Sequence, residues 1–431
     1  MSVSKEPIRV AVVGTGYFGS GLVRRLALLD GFEPRVAANR TLERALAAFQ
    51  RAGIELDRVV VTHDARQANA ALNAGRYVAT SNLFLPGELD GIDVVTEATG
   101  DVLVGAEVAS AAIRAGKHVV AANPEAQATL GPILQVCAEQ AGVVYSDVDG
   151  DEPGLLSDLL EYCGGMGLEV VVAGNCKGVL KRYATPETQA AFAAEYGLKP
   201  WIATAAADGT KLNFELTVVA NATGYKPAVA GMHGPTSDAA HLIDDLGRLG
   251  LLDGGPYVDY AHGLGSGVWA IVRSDDAEVQ SDFRYLKMGN GPFYLFLRPQ
   301  VLIHYQAPRS LVRAVRHGEP TVAPRGAPTA ETIAFAKRDL QPGQMLDGIG
   351  GFDTYGMIVA SADAVRDNLV PVGIAQYARA RRPIRKDDPI DYDAVHFETP
   401  NFALDLRERQ DAHFRAGAPV RPAIVVGSAA D

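Results

Sequence analysis

The chain has 431 residues, 48% of them hydrophobic and 21% charged, with a net charge of −11, the composition of an ordinary globular protein long enough for two or three domains. The acidic balance argues against nucleic acid and anionic membrane as partners, no apolar run is long enough to span a bilayer, and the polar opening MSVSKEPIRV does not read as a signal peptide. Cys137, Cys163 and Cys176 are too few, and odd in number, for a disulfide framework or a thiolate metal site, so a reducing compartment, the cytoplasm, is expected.

Residues 10–13 form an apolar β run. Gly14-Thr15-Gly16-Tyr17-Phe18-Gly19 follows as a G-x-G-x-x-G turn, and Leu22, Val23, Leu26 and Leu29 then recur at helical spacing. Strand, glycine turn and helix in that order are the context a dinucleotide fingerprint requires. Gly14 permits the tight turn, Gly16 lets the backbone approach a pyrophosphate, Gly19 brings helix and strand together, and the helix N-terminus offers its N–H groups to the phosphates. The next strand, 34–38, ends in Asn39-Arg40-Thr41 with no acid. An acid there would hold the ribose hydroxyls of NAD and repel a 2′-phosphate. Arg40 can pair with that phosphate and Thr41 can donate to it, so NADP is expected ahead of NAD. The plain alternative for Arg40 is a solvated surface arginine.

The alternation continues with strands at 59–62, 92–98, 117–123 and 143–147 and helices at 64–74, 106–115 and 130–140. This predicts an α/β fold, a doubly wound parallel Rossmann sheet over residues 1–147. Ligands bind beyond the C-terminal strand ends of such sheets, which adds Ala98, Thr99, Gly100 and Asn123 to the cofactor candidates. Residues 148–325 are less regular and read as an α+β substrate and oligomerisation domain. Asp151-Glu152-Pro153 opens a helix, 170–173 is a strand, 205–224 is one helical stretch closed by Gly224, 247–267 is glycine-rich and read as loops, and 294–304 is a strand. Residues 318–330 hold three prolines and two glycines, the pattern of a linker. Short β-like pieces beyond it predict a small β-rich domain at 326–431.

On the 205–224 stretch, Asp208, Lys211, Glu215 and Val218 fall three and four apart, on one helical face. A lysine between two acids on a mostly apolar helix can polarise a carbonyl and donate a proton as hydride arrives. The plain alternative is an exposed i,i+4 ion pair. Lys177 with Asn175, just after a strand, is a candidate anchor for an anionic substrate group, and Lys287 is another. Asp151 and Glu152 are candidates to orient substrate or lysine, or else are simply first-turn helix acids. His304, between Ile303 and Tyr305, reads as a core histidine. No metal-binding motif is present.

The stretch from Asp93 to Asn123, DVVTEATGDVLVGAEVASAAIRAGKHVVAAN, resembles the nucleotide domain of homoserine dehydrogenases. Asn123-Pro124-Glu125-Ala126, Gly150-Asp151-Glu152-Pro153, Ala207-Asp208-Gly209-Thr210-Lys211, Ala220-Asn221-Ala222-Thr223-Gly224 and Tyr285-Leu286-Lys287-Met288-Gly289 resemble the homoserine-dehydrogenase-like oxidoreductases with a C-terminal SAF domain. In the tail, Ala336-Lys337-Arg338-Asp339-Leu340, Asp347-Gly348-Ile349-Gly350-Gly351 and Arg382 with Lys386-Asp387 are similar to that SAF module. The resemblance implies nicotinamide chemistry with a lysine and acids in the middle domain, and a homodimer or homotetramer. One branch is known as deoxyxylulose-phosphate reductoisomerase-like. Pro124 stands where homoserine dehydrogenases carry a lysine, the segment 174–178 differs from theirs, and Tyr17-Phe18 is bulkier than their turn. The first two departures tell against homoserine itself. The expected activity is hydride transfer to or from a small polar, anionic alcohol or carbonyl compound. The alternatives are a reductoisomerase of a hydroxyketone phosphate, a redox-neutral epimerase that retains its nicotinamide, and a non-catalytic nucleotide sensor.

Overall fold

The computed structural model describes residues 6–414. The chain forms two compact units, Met1–Gly154 with Leu302–Ala323, and Leu155–Val301 with Pro324–Asp431.

The first unit is built on seven parallel strands, β1 (Ile8–Val13), β2 (Phe32–Ala38), β3 (Val59–Val61), β4 (Tyr77–Thr80), β5 (Val94–Glu97), β6 (His118–Ala121) and β7 (Tyr145–Asp147), in the order β3-β4-β2-β1-β5-β6-β7. A parallel sheet covered on both faces needs strands that are apolar throughout, and Val10 to Val13 are completely buried. The connecting helices are α1 (Tyr17–Ala27), α2 (Leu42–Arg51), α3 (Ala65–Asn73), α4 (Val102–Arg114) and α5 (Pro124–Ala141); α6 (Glu152–Gly165) leads out of the unit. Strand order reverses between β1 and β5, the switch point at which doubly wound sheets bind ligands. This is the expected Rossmann-type α/β architecture. A later segment also belongs to it. The helix Ile303–Val312 returns to this unit and places Ala307 and Leu311 in the core with Leu22 and Leu26 of α1.

The second unit carries a five-stranded mixed sheet of β8 (Glu169–Lys177), β9 (Lys226–Pro227), β10 (Tyr257–His262), β11 (Val268–Arg273) and β12 (Phe293–Arg298), ordered β12-β11-β8-β10-β9. Its helices are α7 (Ala190–Glu195), α8 (Pro200–Asp208), α9 (Thr210–Thr223), α10 (Leu242–Arg248) and α11 (Ala277–Tyr285). One apolar cluster joins Leu156, Leu212, Leu216 and Val219 to Ala173 and Ala270. A second joins Leu242 and Leu246 to Val172, Trp269 and Ile271. The tail adds two antiparallel pairs, β13 (Ala330–Ala336) with β14 (Thr354–Ala360), and β15 (Ala378–Ala380) with β16 (Val395–Phe397).

Four sequence expectations need correction. The 205–224 stretch is two helices, because Gly209 takes φ +92 between α8 and α9, a conformation that ends a right-handed helix and suits glycine. The glycine-rich 247–267 region contains β10, whose buried residues sit between β8 and β9. The strand expected over 294–304 stops at Arg298, so His304 lies on a helix. The 318–330 segment is hydrogen-bonded rather than loose: Thr321 N donates to Ser146 Oγ at 2.8 Å and Arg325 N to the Asn221 carbonyl at 2.9 Å.

Along α9, Thr210, Asn213, Thr217 and Asn221 form a buried polar stripe on an otherwise apolar helix. Thr210 Oγ1 accepts from Gly356 N, Asn213 Oδ1 from Ile358 N, and Asn221 Oδ1 from Thr329 N and Ala330 N; Thr217 Oγ1 meets Thr332 Oγ1 at 2.8 Å. The Asn221 motif is thus a seat for the β13–β14 pair. That leaves the opposite side of α9 to carry Lys211 and Glu215.

Candidate active site

The first unit presents a nucleotide cradle. Gly14 has φ +92, and a Cβ there would lie 2.4 Å from the Ala98 carbonyl oxygen. A Cβ on Gly19 would lie 2.0 Å from the Gly14 oxygen, so both glycines are required by the fold. Gly16 has no heavy atom within 4 Å of where its Cβ would stand, so the protein itself does not need a glycine there. An open position of this kind fits close approach by a phosphate. Gly16 is the N-cap of α1, no side chain caps this end, and no acid occupies the first turn. The N–H groups and the positive end of the helix dipole are therefore free of a competing carboxylate. Tyr17 is 67% exposed at the first position of α1, and Phe18 packs partly buried against the core.

At the end of β2, Arg40 is exposed and has no ion pair among the described residues. Asn39 Oδ1 accepts from Thr41 N at 2.9 Å, which shapes the turn into α2. Arg44, which the sequence reading passed over, is a second exposed cation on the first turn of α2.

The ends of β5 and β6 are joined by a buried acid. Glu97 is 1% exposed, its Oε1 accepts from Thr99 N at 2.6 Å and from the Thr99 hydroxyl, and its Oε2 accepts from Asn123 Nδ2 at 2.8 Å. Burial raises the carboxyl pKa, while these donors pull it back down. Asn123 caps α5, with its Oδ1 accepting from Ala126 N, and its amide also donates to the Asp101 carbonyl. Its side chain is committed to holding β5, β6 and α5 in place, with Thr99 and the left-handed Gly100 in the β5 loop. Asp151 is buried and Glu152 half-buried where α6 begins.

In the second unit the structure assembles a relay. Asn175, 1% exposed near the end of β8, donates from Nδ2 to Glu215 Oε2 at 2.9 Å, and Lys211 Nζ donates to the other oxygen, Glu215 Oε1. Glu215 is buried, whereas the Lys211 side chain keeps 30% exposure. Trp269 Nε1 donates to the Asn175 carbonyl at 3.2 Å and fixes that strand. A buried carboxylate thus holds a partly accessible ammonium in one place.

Asp208 is not on that face. It closes α8, and its Oδ2 pairs with Lys337 Nζ at 2.7 Å, both side chains buried. Lys337 also donates to the Ala184 and Gly351 carbonyls at 2.8 and 2.7 Å. Burial pushes the Asp208 pKa up more than Lys337 and the Thr210 N–H bring it down. Asp208 is therefore a structural anchor between the α8–α9 corner and β13. Lys177 Nζ donates to the Ala206 carbonyl at 2.7 Å, at the negative end of α8. Lys287 is exposed in the turn after α11, with φ +62. Of the expected catalytic and substrate residues in this unit, Asn175, Lys211 and Glu215 are brought together.

Residues 150–307 match the family described as "Oxidoreductase DRL, catalytic domain". The chain is an oxidoreductase. The matched segment spans α6 to the first residues of the helix Ile303–Val312, and so contains the whole Asn175–Glu215–Lys211 relay. Among solved structures it is similar to a probable dehydrogenase from Thermotoga maritima (12% identity, 72% of this chain and 90% of that one, TM-score 0.42). It is likewise similar to a myo-inositol 2-dehydrogenase from Lactobacillus plantarum (13% identity, 73% and 91%, TM-score 0.40). A third is 1-deoxy-D-xylulose 5-phosphate reductoisomerase from Zymomonas mobilis in complex with NADPH (15% identity, 73% and 82%, TM-score 0.36). All three are distant likenesses. No curated protein matches the chain. No helix among the described residues is long and apolar enough to cross a membrane.

Proposed function

We propose that the protein transfers hydride between NADP and a small polar, anionic alcohol or carbonyl compound, with Lys211 as the acid/base. The observation that carries this is the relay just described. Glu215, buried and satisfied on its second oxygen by Asn175, aims the Lys211 ammonium while part of that side chain stays open. An ammonium so held polarises a carbonyl oxygen and gives it a proton as hydride arrives at carbon; run in reverse, the neutral amine takes the alcohol proton. Hydride would come from, or go to, a bound nicotinamide. The fingerprint glycines and the uncapped end of α1 would take the pyrophosphate, and Arg40 with Arg44 the 2′-phosphate. The acid-free end of β2 supports NADP over NAD. Preference for an anionic substrate rests on Lys177 with Asn175 and on Lys287, while Asp151 and Glu152 are the candidates to orient substrate or lysine.

The test is a panel of small hydroxy acids, hydroxyketone phosphates and polyols, scored by the near-ultraviolet absorbance of reduced nicotinamide. Net oxidation or reduction with at least one anionic member supports the proposal. Nucleotide that copurifies, with substrate turnover but no absorbance change, would indicate a redox-neutral enzyme instead.

A further inference from the structure

The three fingerprint glycines do not account for a fourth, Gly21, in the second turn of α1. A glycine inside a helix costs about 1 kcal/mol relative to alanine, and no turn requires it here. Its reason is His304. A Cβ on Gly21 would lie 3.0 Å from His304 Cγ and 3.1 Å from both Cδ2 and Nδ1. The imidazole therefore lies flat against the backbone of α1. From there it meets the exposed ring of Tyr17 edge-on, with centroids 5.7 Å apart and planes at 78°.

The helix that carries His304 is firmly placed on the same unit. Ala307 and Leu311 are buried in its core, Arg309 pairs with the buried Asp149 at 2.7 Å, Arg25 of α1 lies over the Tyr305 ring, and Gly150 packs against Ile303 and Gln306. His304 Nδ1 is buried with no hydrogen-bond partner. Burial, and after it the Arg51 charge, lowers the pKa, so the ring is neutral at physiological pH. The contact is thus one between two aromatic rings, which favour the edge-on arrangement.

We propose that His304 is a positioning residue of the dinucleotide site: it holds the Tyr17 ring beside the glycine turn, where Tyr17 contacts the phosphates and ribose of the bound NADP. This rests on the cofactor reading above. It gives a role to the bulky Tyr17, to Gly21 and to the return of residue 304 to the nucleotide unit. A freely rotating tyrosine at the first position of α1 would have to be ordered on binding. A ring already held in place is not.

The test is titration of the full-length protein with NADPH, wild type against Tyr17→Ala, His304→Ala, the pair of both, His304→Phe and Gly21→Ala, with unliganded melting temperature as the control for folding. Expected is a rise in Kd of about threefold to tenfold for each single alanine, the size of an aromatic pair contact. The double variant is expected to be no weaker than Tyr17→Ala, because His304 acts through that ring. His304→Phe, which keeps an aromatic edge, should stay within about threefold of wild type, and Gly21→Ala, which displaces the imidazole, should behave as His304→Ala. Unchanged affinity in His304→Ala, additive losses in the double variant, or a His304→Phe protein as weak as His304→Ala would each overturn the proposal while leaving the cofactor reading intact. If His304→Ala does not fold, His304→Phe and Gly21→Ala decide by the same criteria. A wild-type protein that binds no nicotinamide dinucleotide would overturn both.

Discussion

Removing Lys337 should strongly destabilise the second unit. In Lys337→Met, Asp208 would be left buried without its ion-pair partner, keeping Thr210, whose N–H donates to it at 2.8 Å. Breaking a buried pair from one side costs about 3–5 kcal/mol. The Ala184 and Gly351 carbonyls lose a donor as well, which places the expected loss near the upper end of that range. For a unit of this size that corresponds to a melting temperature lower by roughly 6–20 °C. The loss should also depend on pH. Burial already raises the Asp208 pKa, and without Lys337 it rises further. An acid whose folded pKa lies above its unfolded value of about 3.9 penalises folding once it must ionise. The penalty is absent below the unfolded pKa and complete above the folded one, so the variant should regain stability as pH falls from neutrality towards 4. Adding Asp208→Asn should restore much of the loss at neutral pH, because no charge is then stranded. Urea unfolding at several pH values measures all three effects. A Lys337→Met protein within about 1 kcal/mol of wild type at neutral pH would refute the structural reading of Asp208.

Gly19→Ala, whose Cβ would lie 2.0 Å from the Gly14 oxygen, should destabilise the first unit by about 1–3 kcal/mol in thermal unfolding. Gly16→Ala meets nothing within 4 Å, so it should fold normally and instead weaken NADPH binding, on the order of tenfold, by blocking approach of the pyrophosphate. Equal affinity of Gly16→Ala and wild type would mean that the phosphates lie elsewhere. Arg40→Asp should cost about tenfold to a hundredfold in NADPH affinity, the value of a charge-assisted hydrogen bond, with little change for NADH. Tighter NADH than NADPH binding by the unmutated protein would remove NADP as the preferred cofactor.

The nucleotide half of the molecule was legible because its signals are local. The order of strand, glycine turn and helix at 10–29 leaves few alternatives, and runs such as Val94-Val95-Thr96 announce buried parallel strands. The helix Ile303–Val312 was not legible, since nothing within it says that it docks on α1, about 285 positions earlier. The relay was half legible. Lys211 and Glu215 are i,i+4 neighbours and show in the sequence, but Asn175 joins them only through β8. Asp208 was misplaced because the helical spacing was carried across Gly209. A glycine flanked by Asp208 and Thr210 was the available sign of a left-handed break, and Lys337, which explains the buried acid, lies far along the chain, just past the end of β13.

The most direct test of the account is the single-turnover rate of nicotinamide oxidation or reduction for Lys211→Ala against wild type, on whichever substrate the panel identifies, with NADPH affinity measured alongside. A positioned general acid/base contributes on the order of a hundred- to ten-thousand-fold. The account predicts a loss of that size with nearly unchanged NADPH binding, and a smaller loss for Glu215→Gln, which keeps the shape of the relay but not its charge. A Lys211→Ala protein that reacts at the wild-type rate would reduce Lys211 and Glu215 to a structural ion pair and contradict the assignment.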